Sequence, residues 1–523
     1  MKRPLHSKHL IRVLTVLIFL LAIGSPLVWG EDDKEPPKMS SGLTVVENDS
    51  KVFKADPSYL VKPYDPQAQL VIYGGKHKLS NGPVFSTPVR PLFEIGRRLY
   101  LDGPIKPTAP LFGSKNRDAF WFMAFGDWRI ATGYNNLANN GKEFARLAGQ
   151  INLDFDMRLT GTERLHAKMT PIDKNGNFTR LDYAIPGQSS KSDFVGDPNI
   201  DNAFFEGDVG PLVAGMSGKD NAIDMPFSVG LVPMFTQNGI WVDDAMSALL
   251  VTPFSAKNSR KLDISNYDIT FFGAIHGVST PAFTNAKLKL TSENTTKAYG
   301  VFGFADALRG YFEWGYAYLD SDFDGGSYNN LTFAFSRRYW HTLSNSFRVI
   351  GNVGQKGLLL TPDSDERTKT ANGALLLIEN SWITNKPSTL IPYFNFFAGF
   401  GEPQSLARAA NAGGVLKNTG LNFEGEAMTA LPNLDAGANN TYGGAIGLEY
   451  LFNLDQQIVF EVATVIPMRS KEQRVVLGNQ YGIDVRWQKP FWHAWIVRAD
   501  FMKGWKDQAD DVAGVRLELR RKF

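Results

Sequence analysis

Apolar and charged residues alternate along the last stretch of this chain, Val515-Arg516-Leu517-Glu518-Leu519-Arg520-Arg521-Lys522-Phe523. Side chains point to opposite faces of a β-strand in turn, so the valine, the two leucines and the phenylalanine share one face. Arg516, Glu518, Arg520 and Lys522 share the other face. The pattern predicts a strand with one face suited to hydrocarbon and the other to water, as in a transmembrane β-barrel.

The N-terminus predicts export from the cytoplasm. Four basic residues precede or enter an apolar run at 13–23, and Val28-Trp29-Gly30 is typical of a signal-peptidase site. We therefore expect residues 1–30 to be a cleaved signal peptide. The alternative is an uncleaved membrane anchor, for which the run is short, because a spanning helix needs ~20 apolar residues.

Charge and cysteine content exclude several classes of function. The formal net charge is +2, but the first 30 residues contribute four basic residues and no acidic ones, so the remainder has a net charge of −2. This balance does not favour binding to nucleic acid, which usually requires a clustered positive excess. The chain has no cysteine, which excludes disulfides and thiolate metal sites.

We divide the rest of the chain into three parts. Residues 31–66 are acidic and then rich in proline, serine and lysine, and are expected to form a flexible periplasmic tail. Residues 67–112 contain short apolar runs broken by glycine and proline, and are a lead-in, a plug or the first strands. Residues 113–523 are predicted to form the barrel, because alternating strands recur there and no later apolar run is long enough for a spanning helix.

A hairpin with one ionic face is predicted near the start of this barrel. Apolar residues alternate with polar ones over 151–159, and again over 165–169 after a turn at 161–163. The face opposite the apolar one carries Asp154, Asp156, Arg158, Arg164, His166 and Lys168. We expect these charges to face a water-filled interior.

The same alternation recurs to the end of the chain, at 267–275, 299–305, 311–318, 331–336, 347–353, 394–400, 444–450, 458–464, 481–487 and 495–501. The spacing of the turns predicts a closed antiparallel barrel of about 16 to 18 strands. A soluble β-sandwich or propeller is the alternative. Polar segments rich in glycine and asparagine, at 171–200, 354–372 and 403–440, are predicted to be long extracellular loops.

The predicted inward positions form a set of both charge signs. They are the six residues of the hairpin together with Asp268, Glu313, Asp484, Arg486, Arg498, Asp500, Arg516, Glu518, Arg520 and Lys522. Such charges can line an aqueous passage and select solutes by charge and size, or they can simply pair with one another across strands. The concentration of arginine and lysine in the last strands favours anions.

Two local patterns suggest other chemistry. Asp320, Asp322 and Asp324, followed by Gly325, match the first half of a calcium-binding loop, but Leu331 stands where the bidentate glutamate is needed. An acidic turn or a weak calcium site is expected. His166 near Asp154 and Asp156 is the one catalytic candidate, and without a nucleophile motif we expect it to be a hydrogen-bonding residue and the protein not to be an enzyme.

The export signal, the amphipathic strands and the terminal Phe523 resemble the bacterial outer-membrane porin and exporter class. This resemblance implies that Phe523 belongs to a signal read by the barrel-assembly machinery. Arg521 departs from the class, which usually has an apolar or aromatic residue there. In size and charged interior the chain is also similar to polysaccharide exporters of the alginate-export kind.

The function expected from these features is diffusion of small hydrophilic solutes through an outer-membrane channel without a cofactor. The alternative is a dedicated polysaccharide exporter, or a barrel that sheathes a periplasmic partner such as a cytochrome. The expected partners are outer-membrane lipids, the assembly machinery and the solute or polysaccharide.

Overall fold

The computed structural model describes residues 91–98, 112–137, 142–174, 176–184, 191–198, 200–284, 296–359, 367–386, 389–409, 412–452, 456–468, 478–491 and 494–523. The predicted signal peptide, the tail and most of the lead-in lie outside these ranges, and their assignment stays a prediction.

The described residues are mainly strands. In chain order these are β1 Phe93–Ile95, β2 Asp118–Leu137, β3 Lys142–Thr160, β4 Arg164–Met169, β5 Asp173–Lys174, β6 Asn177–Ala184, β7 Lys191–Asp193, β8 Ile200–Asp208, β9 Pro226–Thr236, β10 Val242–Ser259, β11 Ile264–His276, β12 Thr296–Ala307, β13 Gly310–Ser321, β14 Tyr328–Tyr339, β15 Leu343–Val353, β16 Leu358–Leu359, β17 Arg367–Thr368, β18 Asn372–Trp382, β19 Leu390–Glu402, β20 Ala407–Arg408, β21 Thr441–Phe452, β22 Gln456–Pro467, β23 Gln480–Phe491, β24 Trp495–Lys506 and β25 Val512–Lys522. The helices are α1 Val209–Ser217 and α2 Pro281–Thr284, with 3₁₀ turns at Lys417–Thr419 and Leu421–Phe423. In the part of the chain described, no helix has both the length and the apolar character needed to cross a membrane.

Eighteen of these strands form one closed antiparallel barrel: β2, β3, β4, β8 to β15, β18, β19 and β21 to β25. Each pairs with the next, and the last strand pairs with the first, with Arg129 opposite Arg520 and Tyr134 opposite Val515. The predicted fold class and strand number are confirmed. A single closed sheet excludes the sandwich and the propeller.

The closing strand has the two faces that its alternation predicts. Val515 and Leu517 are 46% and 50% exposed on the outer surface, whereas Arg516 and Glu518 are 5% and 2% exposed inside the barrel. The outer face is therefore apolar and the inner face is charged.

The two rims of the barrel differ in their connections. The rim where β2 begins and β25 ends, here called the terminal rim, has mostly short links, such as those at 161–163, 308–309 and 453–455. The opposite rim, here called the long-loop rim, has the longest links between barrel strands, at 170–199, 277–295, 354–371 and 403–440.

Residues 403–409 and 412–440, here called the inserted segment, connect β19 to β21 at the long-loop rim, but they pack inside the barrel instead of projecting from it. Their assignment as an extracellular loop stays a prediction. The side-chain amide of Asn135 on β2 donates to the backbone oxygen of Thr429, 3.2 Å away. On the other side, the backbone nitrogens of Leu421 and Asn422 donate to the carboxylate of Glu461 on β22. The sequence does not reveal this inward packing, because the hydrogen-bond partners of the polar segment lie on strands that are distant in the chain.

The β9–β10 link at 237–241, here called the hairpin tip, also folds inward. The indole nitrogen of Trp241 donates to Asn330 on β14 at 2.7 Å, and the backbone oxygen of Trp241 accepts from Leu406 of the inserted segment. A Cβ at Gly315 would collide with the Trp241 ring, and one at Gly482 would collide with Asn422. Glycine at these two wall positions therefore permits the close approach.

Replacing Leu517 with arginine tests the outward face. A charge near the middle of a lipid-facing surface costs about 2–4 kcal/mol, so L517R should lower the unfolding free energy in lipid vesicles by that amount. Urea titration followed by heat-modifiable gel mobility measures the change. The control L517F should unfold like the unmodified protein, and equal stability of L517R and L517F would contradict the outward assignment.

Candidate functional site

Five arginines on four adjacent strands form the main charged surface inside the barrel. They are Arg129 on β2, Arg486 on β23, Arg498 on β24, and Arg516 and Arg520 on β25, and we call them the arginine wall. The strand register places these arginines next to carboxylates, with Asp500 opposite both Arg486 and Arg516 and with Arg498 opposite Glu518.

Asp500 joins three of these arginines. Its carboxylate oxygens lie 2.6 Å from Arg486 Nε, 3.2 Å from Arg498 Nε and 2.9 Å from Arg516 Nη1. The Asp500 side chain is only 1% exposed. Buried charges are tolerated only when they are paired and hydrogen-bonded, so this carboxylate and its arginines depend on each other.

The remaining arginines have carboxylate partners of their own. Glu518 pairs with Arg516 and, at 3.0 Å, with Arg520. Asp127 pairs with Arg129 at 2.8 Å. The side chains of Arg129 and Arg520 are 28% and 22% exposed, compared with 14% for Asp127 and 2% for Glu518. Each of these two arginines is therefore more exposed than the carboxylate that it contacts, so the exposed part of this surface is mainly arginine.

The inserted segment places two acidic residues opposite the arginine wall. Glu424 Oε2 lies 2.7 Å from Arg486 Nη1, and Glu426 Oε2 lies 3.4 Å from Arg516 Nε. Two oppositely charged surfaces therefore meet inside the barrel. The two glutamates are far in the sequence from the arginines that they contact, so only the closed fold brings them together.

A cavity of about 480 Å³ lies beside these contacts. Its lining includes Phe235, Asp243, Tyr393, Lys417 and Glu424, which come from two wall strands, the base of the hairpin tip and the inserted segment. Burial lowers the pKa of the Lys417 amine. The cavity thus combines acidic, basic and aromatic groups, which can contact a small polar solute.

The predicted hairpin charges form a second cluster on β3 and β4. His166 Nδ1 lies 3.7 Å from Asp156 and its Nε2 lies 3.1 Å from Glu206, while its ring stacks on Phe204. Arg164 lies 3.9 Å from Asp156. His166 therefore lies within a charged network, between Asp156 and Glu206.

Other predicted lumen residues are less closely grouped. Asp154 pairs in register with Lys168, and Arg158 donates to the backbone oxygens of Thr160 and Gly161 at the terminal rim. Glu313 is on the inward face of β13, away from both clusters. Asp484, 2% exposed, lies on β23 beside the arginine wall.

Asp320, Asp322 and Asp324 lie at the end of β13 and in the turn that follows it, and their assignment as a weak calcium site stays a prediction. The described ranges contain no group of three or more His, Asp or Glu side chains able to hold a metal ion. Asp324 pairs with Arg367, whose guanidinium holds the pKa of that carboxyl below its usual range. The acidic turn is fixed by an ion pair across the loop.

Several residues of the site were not found from the sequence. Asp127 and Arg129 lie in a strand whose alternation is weak, and Lys417, Glu424 and Glu426 belong to the segment interpreted as an extracellular loop. The apolar residues of that segment could have indicated that it is buried, since Leu416, Phe423 and Leu434 are at most 1% exposed.

No protein-family model matches the chain, and no curated protein sequence matches it. Among solved structures, OccK5 (OpdH) of Pseudomonas aeruginosa is 10% identical, with a TM-score of 0.46 over 77% of this chain and 98% of that chain. OpdK with vanillate, from the same organism, is 12% identical, with a TM-score of 0.46 over 76% and 98%. The outer membrane protein OprD of that organism is 8% identical, with a TM-score of 0.44 over 76% and 93%. At these values the similarity neither assigns a family nor establishes a function.

Replacing Asp500 with asparagine tests the arginine network. Removing one partner of a buried ion pair costs about 3–5 kcal/mol, so D500N should lower the free energy of unfolding by that amount. Asp511 is a matched control, because it contacts Lys503 at 3.3 Å at the exposed long-loop rim and D511N should cost less than about 1 kcal/mol. Urea midpoints measured in detergent compare the two variants, and equal midpoints would contradict the proposed role of Asp500.

Proposed function

We propose that the protein is an outer-membrane channel through which small hydrophilic solutes diffuse. The observation that carries this proposal is the arginine wall facing the acidic inserted segment inside a closed barrel. Charged groups of both signs that line a narrow aqueous passage orient polar solutes and exclude apolar ones.

The membrane location is supported by the outer surface. Large apolar side chains are exposed on the outward face of strands around the barrel, including Phe271, Ile446, Phe460 and Leu517. Such a surface is costly in water and favourable in lipid. With the predicted signal peptide, this favours the outer membrane, with the long-loop rim outside the cell and the terminal rim in the periplasm.

The preferred solutes of this channel are anions. Arg129 and Arg520 are more exposed than the carboxylates that hold them, so a solute near the wall meets arginine side chains before it meets acidic oxygens. Planar guanidinium groups bind carboxylate and phosphate oxygens through paired hydrogen bonds. Glu424 and Glu426 oppose this preference from the facing side, which makes it moderate.

The alternative of a barrel that sheathes a folded partner is less well supported. The hairpin tip and the inserted segment occupy the part of the interior that a cytochrome would need. A dedicated polysaccharide exporter predicts little conductance without its periplasmic partners, whereas the proposed channel conducts alone.

Single-channel recording in planar bilayers tests the proposal. The purified protein should give stepwise conductance, and its reversal potential in a potassium chloride gradient should indicate anion preference. The R498Q/R520Q double variant should reduce that preference, because it removes two accessible cations of the arginine wall. R260Q, in an exposed turn of the terminal rim, should not. Absence of conductance, or strong cation preference, would reject the proposal.

Replacing Glu424 with glutamine tests the facing surface. E424Q removes the carboxylate that the inserted segment places 2.7 Å from Arg486 Nη1. A unit charge close to a solute path in water is worth ~1 kcal/mol, so the anion-to-cation permeability ratio should rise about two- to fivefold. E143Q is the control, since Glu143 lies on the outer face at the long-loop rim. A ratio for E424Q equal to that for E143Q would show that solutes do not pass close to Glu424.

A further inference from the structure

Arg521 occupies a position where the outward face of the closing strand otherwise carries apolar residues. Arg521 is an even number of residues from the exposed Val515 and Leu517, so its side chain lies on the same outer face, and it is itself exposed. A guanidinium on the outer wall, away from the lumen, has no role in solute passage. Its surroundings therefore require a separate explanation.

Two tryptophans flank Arg521 on the neighbouring strands. Trp495 on β24 and Trp128 on β2 are both in register with it. The Arg521 guanidinium carbon lies 5.6 Å from the centre of the Trp495 ring, and the two indole rings are 5.9 Å apart at 76°. An aromatic face covers one side of the guanidinium, which leaves its N–H edge free to donate.

We propose that Arg521, Trp128 and Trp495 form a binding site for the headgroup phosphate of an anionic phospholipid at the terminal rim. The proposal rests on the membrane location given above but not on conduction. A phosphate accepts paired hydrogen bonds from a guanidinium edge, and indole rings favour the interface between headgroups and hydrocarbon.

The charge of the surrounding surface supports this occupant. Lys489 shares the outward face of β23, and ideal strand spacing puts its Cα about 12 Å from that of Arg521, within reach of one headgroup for two long side chains. On the four strands β23, β24, β25 and β2, the other outward positions near this rim are apolar or aromatic: Trp487 and Phe491 on β23, Val497 and Ala499 on β24, Leu519 on β25 and Ile130 on β2. Among the described residues, no carboxylate pairs with Arg521. Arg521, Lys489 and these apolar positions, here called the patch, therefore carry a net positive charge.

The position of the patch distinguishes a lipid from free phosphate. Leu519, Val497 and Ile130 continue the same outer face toward the middle of the barrel wall, where an acyl chain can pack. A comparable cation at the long-loop rim is already neutralised, because Lys503 stacks on Trp505 and lies 3.3 Å from Asp511. The contrast makes Lys503 a matched control.

Native mass spectrometry of the purified full-length protein tests the site. The protein is titrated with dioleoylphosphatidylglycerol or dioleoylphosphatidylcholine. We expect the unmodified protein to retain phosphatidylglycerol in preference to phosphatidylcholine. R521Q should bind phosphatidylglycerol about tenfold more weakly, because it removes a charged hydrogen-bond donor. R521Q/K489Q should bind it more weakly still. K503Q should bind like the unmodified protein, and R521K should lie between the unmodified protein and R521Q.

Three further measurements make the outcome unambiguous. Heat-modifiable gel mobility selects folded barrels, so that R521K reports on the site if R521Q fails to assemble. Millimolar inorganic phosphate should not displace the lipid. Equal retention of the two lipids, unchanged affinity in folded R521Q or R521K, or displacement by phosphate would overturn the proposal. Conductance of R521Q should equal that of the unmodified protein, so failure of the lipid site and failure of the channel are distinguishable.

Discussion

Backbone pairing between β2 and β25 is the constraint on which the rest of the structure depends. A sheet in lipid must satisfy every backbone N–H and C=O within itself, because an unpaired polar group in hydrocarbon costs several kcal/mol. Closure between these strands removes both edges. Once the sheet is closed, each side chain faces either the outside or the interior, and the alternation in the sequence decides which.

Closure also concentrates charge in the interior. Arginines from β2, β23, β24 and β25 become neighbours, and each is held by a carboxylate that is more buried than the guanidinium it contacts. The inserted segment completes this arrangement, because Glu461 accepts hydrogen bonds from its backbone while Glu424 and Glu426 reach the arginine wall. The result is a polar interior whose accessible groups differ in sign from one side to the other.

The sequence predicts the wall of this barrel better than its contents. A period of two is a local property, so the hairpin at 151–169 and the strands from 481 onward could be recognised, with their inward charges. The inserted segment could not, because its burial depends on Asn135 and Glu461, far away in the chain. The ion pair between Asp324 and Arg367 could not be predicted either, because the two residues are distant in the sequence.

The most direct test of the central claim uses the absence of cysteine, which allows single cysteines to be introduced and spin-labelled without background. Labels at Leu517 and Leu519 should collide with oxygen dissolved in lipid, whereas labels at Arg498 and Arg520 should collide with a water-soluble nickel chelate, when accessibility is measured by electron paramagnetic resonance in vesicles. The same preference at all four positions would contradict a closed wall with lipid outside and water inside.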